Sequence, residues 1–180
     1  TFPYAYEELI REDIAFTVFR MDMAEEISAL AMKLNRTAKV HIKVDTGMHR
    51  IGIRPDEEGV DFVRKILALP GIFAEGIFTH LANADADDKS DAYRQVNAFK
   101  SFIQTIDDEI GYTFPVKHCF NSAGLMEMQD DTFNVGRVGI SMYGVWPSDE
   151  MKKDEMRLQP ALSLRSKIVY IKTLPEGSRI

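Results

Sequence analysis

Four polar clusters in this sequence combine residue types that bind anions and move protons. The first lies in KVHIKVDTGMHRIG (39–52), where apolar Val40, Ile42 and Val44 alternate. That alternation places His41, Lys43 and Asp45 together on the opposite face of a strand, with Arg50 just beyond a glycine turn. A strand-borne lysine near an arginine is a repulsive pair that calls for an anion. The other clusters are Thr79-His80 with Asn83, His118 with Asn121-Ser122, and Arg137 with Gly139. NSAG (121–124) offers a hydroxyl and free N–H groups. RVGISMYG (137–144) sets the N–H groups of Gly139 and Ile140 where a backbone can approach an anion closely. There is no GxGxxG and no Walker lysine, which points away from a dinucleotide or ATP and toward a compact phosphorylated cofactor. Each cluster alone also has a plainer reading: a structural histidine, an arginine bound to a nearby carboxylate, or an Asx or helix-capping turn at Asn121-Ser122. Their coincidence at strand ends favours a site.

The elements that must carry these clusters alternate along the chain. Strands are predicted at 14–20, 39–45, 72–83 and within FPVKHCFNSAG (114–124), and a fifth, with three glycines, at 132–144. Between them run amphipathic helices. One covers 23–35, with Asp22 as N-cap and Ile27, Leu30, Ala31 and Leu34 on one face. A second begins at Asp56 and stops at Pro70-Gly71, with Val60, Val63 and Ile66-Leu67 inward. A third covers 90–111, with Tyr93, Val96, Phe99, Phe102 and Ile103 as its stripe. A repeating βα rhythm implies a parallel α/β sheet with right-handed crossovers, and in such sheets and barrels the C-terminal strand ends hold the site. After Trp146 the rhythm stops. A polar linker is expected at 149–160, and ALSLRSKIVYIKTL (161–174) alternates like the first strands of a β-rich second domain, giving divisions at 1–148, 149–160 and 161–180.

Composition narrows the class. A net charge of -6 with scattered Lys and Arg residues shows no nucleic-acid stripe. No apolar run reaches the roughly 18 residues of a membrane span. The single cysteine, Cys119, cannot form an internal disulfide and reads as a small buried hydrophobe, so a cytoplasmic setting is expected. Thr1 in place of Met, and a last stretch LPEGSRI that breaks off in a turn, suggest a piece of a longer protein.

The motifs KVDTGMHRIG, GIFTHLANAD, HCFNSAG and FNVGRVGISMYG, in that order, resemble bacterial alanine racemases, with the closely similar serine/alanine racemases of glycopeptide resistance equally compatible. The resemblance runs from about Phe2 through the segment ending near Leu174. It implies a partial (β/α)8 TIM-type barrel (about the last five βα units), followed by the start of a C-terminal β domain. The implied cofactor is pyridoxal 5'-phosphate, the substrate alanine, the working form a homodimer, and the product D-alanine for peptidoglycan. Position by position it implies that Lys43 becomes N-carbamylated and orients Arg50, which contacts the cofactor and the substrate carboxylate. His80 lies against the cofactor ring, Arg137 bonds its nitrogen, and His118 supports Arg137. Ser122 with the backbone of Gly139 and Ile140 cradles the phosphate, with Asn121 beside it. The family's Schiff-base lysine and its tyrosine base match nothing in this chain, so the segment alone is expected to be inactive. A non-catalytic PLP-binding barrel protein is a further alternative, against which the alternating segment at 161–174 speaks.

Overall fold

The structure is a computed structural model that describes residues 2–153 and 156–178. Thr1, Asp154, Glu155, Arg179 and Ile180 lie outside the described residues, and with them part of the expected linker and of the last expected segment. Four strands, β1 (Phe16–Val18), β2 (Ala38–Lys43), β3 (Ile72–Phe78) and β4 (Val116–His118), form one sheet in the order β1-β2-β3-β4. All three pairings are parallel. A helix α1 (Tyr6–Arg11) precedes the sheet, and α2 (Met21–Lys33), α3 (Glu57–Ala68) and α4 (Ser90–Ile110) make the crossovers. A short α5 (Ser122–Glu127) follows β4. Neighbours in sequence are neighbours in the sheet, as successive βα units of a barrel must be.

Burial explains why these segments take these forms. Val18, Val40, Ile42, Val44 and Ile77 have no exposed surface and meet the helices. In α4 the buried residues Ala92, Gln95, Val96, Phe99, Phe102, Ile103 and Ile106 recur at three- and four-residue spacing, the stripe a helix needs to cover a sheet. Tyr93, expected in that stripe, is instead 48% exposed, because Ala92 and Val96 define the buried line and Tyr93 falls to its side. Asp56 caps α3 as expected, its carboxylate accepting from the Gly59 N–H at 3.1 Å. Asp22 does not cap α2. The helix starts two residues earlier than expected, at Met21, and the Asp22 carboxylate is held in the first turn by the Arg20 guanidinium at 2.6 Å. Helix α1 escaped the sequence reading because it buries only two side chains, Tyr6 and Ile10, one turn apart.

The fifth expected strand, 132–144, is not a strand. It runs beside β4 and the residues just after it, touching them at separate points, Asn134 N–H to the Lys117 carbonyl (3.1 Å) and Arg137 N–H to the Phe120 carbonyl beyond the strand (3.0 Å), then closes into a 3-10 turn at Ile140–Tyr143. Two such bonds on one side, without a strand on the other, make no ladder. Likewise 161–174 forms no ladder among the described residues. Leu164, Ile168 and Val169 are 80% or more exposed, and an alternating pattern pairs only where a partner strand is present.

Two local features shape the strand ends and their loops. In β3 one extra residue, Glu75, stands opposite the Val40–His41 step, since Val40 pairs with Ala74 and His41 with Gly76. Beyond β2 the chain loops back on itself. Asp45 N–H donates to the Ile53 carbonyl at 2.8 Å and Ile53 N–H to the Lys43 carbonyl at 2.9 Å, pinning both ends of the loop that carries Arg50. Gly52 makes this possible. Its φ is +129°, and an added Cβ would lie 2.7 Å from the Asp45 nitrogen and 2.9 Å from the Val44 carbonyl carbon. Both neighbours are backbone and cannot rotate aside. Gly52→Ala should therefore destabilise the protein by about 2–3 kcal/mol, measured as a lowered urea midpoint. An unchanged midpoint would show that the loop closes in another way.

Candidate active site

The polar clusters converge at and beyond the C-terminal ends of β2, β3 and β4. Lys43, the last residue of β2, is 3% exposed, and its ammonium donates to the Val44 carbonyl at 2.6 Å and the Ile51 carbonyl at 3.2 Å. It also lies 5.8 Å from the centre of the Phe78 ring. Burial, with the nearby Arg137 and Arg50 charges, outweighs the opposing pull of Asp45 and brings its pKa down to about 8. Arg50 is exposed on the pinned loop.

Arg137 is the centre of the site. Its guanidinium donates to the Thr79 carbonyl (2.9 Å), the Cys119 carbonyl (3.2 Å) and Nδ1 of His118 (2.7 Å), with Nδ1 of His80 at 3.3 Å. It stands 5.3 Å over the Phe78 ring, against which His118 also stacks at 4.7 Å with an interplanar angle of 4°. Two residues to which the sequence reading gave no role complete this line. Nε2 of His118 is 2.9 Å from Nδ1 of His41, and Nε2 of His41 is 3.0 Å from the Glu75 carboxylate. Proton positions are fixed by the two ends of the line. Arginine can only donate, so His118 Nδ1 accepts and its Nε2–H donates to His41, whose Nε2–H donates to the carboxylate. The signal in the sequence was His41 on the same strand face as Lys43; its partner Glu75 shows only through the extra residue in β3.

Burial, then the Arg137 charge, pushes the His118 pKa down to about 3, and the same causes bring His80 down to about 4. The unfolded chain takes up these protons near pH 6.5, whereas the folded one resists until far lower. The stability of the folded state is therefore intact above pH 6.5 and falls as pH drops from there toward 3. His118 alone should cost about 2 kcal/mol between pH 7 and 4.5, and His118→Gln should remove that part of the slope. Urea unfolding at both pH values measures it; equal slopes in the two proteins would disprove the assignment.

The remaining expected residues divide. Ser122 is 4% exposed, and its hydroxyl accepts the Gly139 N–H at 2.8 Å and the Ser141 N–H at 3.5 Å. Gly139 thus stands beside Ser122, and Ile140 lies between the two residues whose N–H groups the hydroxyl accepts. An added Cβ at Gly139 would meet nothing nearer than the Ser122 oxygen at 3.6 Å, so the glycine leaves room there for a ligand. Asn121 takes the plainer role, its side chain capping α5 by accepting the Gly124 N–H at 3.0 Å. Asn83 is exposed. Among the described residues, Lys43, Arg50 and Arg137 make no ion pair, leaving a net positive strand-end surface with a hydroxyl and backbone N–H groups at its side.

Residues 2–147 match the family model described as alanine racemase, N-terminal domain. The chain belongs to the alanine racemase family. It is 40% identical over 173 residues to the alanine racemase of Desulforamulus reducens, covering 96% of this chain and 46% of that protein. It is 39% identical over 183 residues to that of Methanococcus maripaludis, covering 99% and 49%. An alanine racemase structure from Clostridium difficile 630 in complex with cycloserine superposes with a TM-score of 0.84 at 40% identity, covering 89% of this chain and 44% of that one. The chain spans about half the length of the alanine racemases it matches. The expected partial barrel is borne out, with four of its strands formed. No helix among the described residues is long and apolar enough to cross a membrane.

Proposed function

We propose that the protein containing this chain is a PLP-dependent alanine racemase that interconverts L- and D-alanine. The observation that carries this reading is the unpaired cationic cluster of Lys43, Arg50 and Arg137 beside Ser122, at strand ends in a chain of this family. Such a cluster suits a ligand with a phosphate and a substrate with a carboxylate. Pyridoxal 5'-phosphate, when bound, supplies the electron sink that acidifies the α-carbon. The residues present fit it: the Ser122 hydroxyl with the Ile140 N–H, and the Gly139 N–H that Ser122 now holds, would take the phosphate, His80 would lie against the ring, and Arg137 would stand at the ring nitrogen. Arg137 is held by fixed acceptors and stays cationic, so it disfavours a proton on that nitrogen and tempers the sink.

Lys43 and Arg50 act on the substrate side. With a pKa near 8, a large fraction of Lys43 is neutral amine at mildly alkaline pH. Its lone pair attacks the carbon of CO2 and one N–H proton leaves to solvent, giving a carbamate anion. Repulsion with Arg50 then becomes a charge-assisted bond that orients the guanidinium toward the substrate carboxylate. The groups that remove and return the α-proton come, on this reading, from the rest of the protein, which works in the cytoplasm as a homodimer and supplies D-alanine for peptidoglycan. The experiment is a PLP titration of the full-length protein followed by polarimetry on L-alanine and L-serine. Alanine turnover exceeding serine turnover is expected. Serine preference would move the substrate to the serine/alanine racemases, and a cofactor-bound protein without turnover would make it a PLP carrier.

A further inference from the structure

The two loops that carry Arg50 and His80 rest on one buried amide. Gln95, in the first half of α4, is 0% exposed. Its Oε1 accepts the Ala82 N–H at 3.2 Å, two residues beyond His80, and its Nε2 donates to the Asp91 carboxylate at 2.6 Å. The other loop abuts the same side chain. An added Cβ at Gly47 would lie 3.1 Å from both Cγ and Cδ of Gln95, and Gly47 has a φ of +145°. The Gly47 N–H donates to Asp45 Oδ1, which also accepts the His49 N–H, the residue before Arg50. A third link joins the loops below, where the Thr46 and Thr79 hydroxyls are 2.8 Å apart. Thr79 Oγ1 donates to the Val44 carbonyl, so Thr46 donates to Thr79. A fully buried glutamine on a helix that otherwise packs apolar residues is costly unless both amide ends are satisfied. Here they are satisfied by one loop and by the carboxylate that fixes the amide orientation.

We infer that Gln95 is a positioning residue, holding the Arg50 loop and the His80 loop in register with each other across the mouth of the site. It touches neither loop's functional side chain and acts through Ala82 and Gly47. Asp91 sets which end of the amide faces Ala82, since a carboxylate can only accept and must therefore meet the NH2 group. The consequence for the reaction rests on the proposed racemase function, but the structural consequence does not.

The test uses the full-length enzyme in three forms. In Gln95→Met, of similar shape and without polar atoms at its end, the Ala82 amide should exchange with deuterium about tenfold or more faster, following loss of its acceptor. The KM for alanine should rise about tenfold, with kcat changed less than about threefold and PLP absorbance retained, the pattern of a mispositioned binding group. In the double variant Gln95→Glu/Asp91→Asn, donor and acceptor change places while Ala82 keeps an oxygen to bond, so exchange and KM should return to near the parent values. If Gln95→Met leaves Ala82 exchange unchanged, or the double variant fails to restore it, the inference is overturned. It is also overturned if exchange rises while KM stays fixed, or if kcat and cofactor binding are lost together, since Gln95 would then only support the fold. If the parent protein does not racemise alanine, the proposed function fails, and the exchange measurements alone decide whether Gln95 clamps the loops.

Discussion

Arg137→Ala should lower the stability of the protein by about 2–4 kcal/mol, since it strands several acceptors of one half-buried guanidinium at once. The Thr79 and Cys119 carbonyls and Nδ1 of His118 all accept from this guanidinium. Arg137→Lys keeps the charge but replaces a planar fork with a single point, so it should recover only part of the loss. Urea unfolding of the full-length protein measures both. On the proposed function the alanine variant should also lose at least about 100-fold in racemisation, because the group at the ring nitrogen is gone. A stability loss below about 1 kcal/mol would mean that solvent replaces the arginine and that the site is far more open than its burial indicates.

Lys43 should show the second large effect. In CO2-free buffer its pKa of about 8, against an ordinary 10.5, charges the fold roughly 3 kcal/mol for a buried ammonium at neutral pH. The sign is definite: the penalty is full below pH 8 and is relieved as pH rises from 8 to 10.5, where the unfolded chain still binds the proton. Lys43→Met should therefore be more stable than the parent at pH 7 in CO2-free buffer, with the difference gone by pH 10.5. With 13C-bicarbonate the full-length parent, and not the variant, should show a carbamate carbonyl resonance. Lys43→Ala should weaken substrate binding by about 1–3 kcal/mol as Arg50 loses its partner, with added acetate restoring part of it and chloride less. A parent protein without a carbamate resonance, or a Lys43→Ala variant with unchanged KM and kcat, would remove Lys43 from the proposal.

What could be read in advance depended on whether a residue's partner lay close in sequence. The crossover helices announced themselves through periodicity, and Asp56 through its cap position, because both signals are local. Lys43, His118 and Arg137 stood out because a charge in an apolar strand, or past a glycine turn, has no local use. Tyr93 was misplaced because an aromatic at the right spacing looks buried until the helix phase is fixed by contacts. The expected strand at 132–144 has the composition of a strand, but a ladder is a property of two segments, and only one edge is supplied. Asn121 shows the reverse case: a local cap explains a residue that the site did not require. Glu75 and Gln95 were missed for one reason: each is a polar residue whose partner, His41 or Ala82, becomes adjacent only when strands and crossovers are assembled.

The extra residue in β3 also determines how the chain tolerates changes in length. Because Val40 pairs with Ala74 and His41 with Gly76, excising Glu75 would leave both pairings intact and turn a bulged strand into a regular one. The sheet would heal around that deletion, with only the carboxylate beneath His41 removed. Excising Ile77 instead would shift Phe78 and everything after it by one pleat, turning its ring away from His118 and Arg137. A scan of single-residue deletions through β3 should therefore find position 75 the one at which the protein still folds, leaving the Arg137–His118–His41 line without its acid terminus.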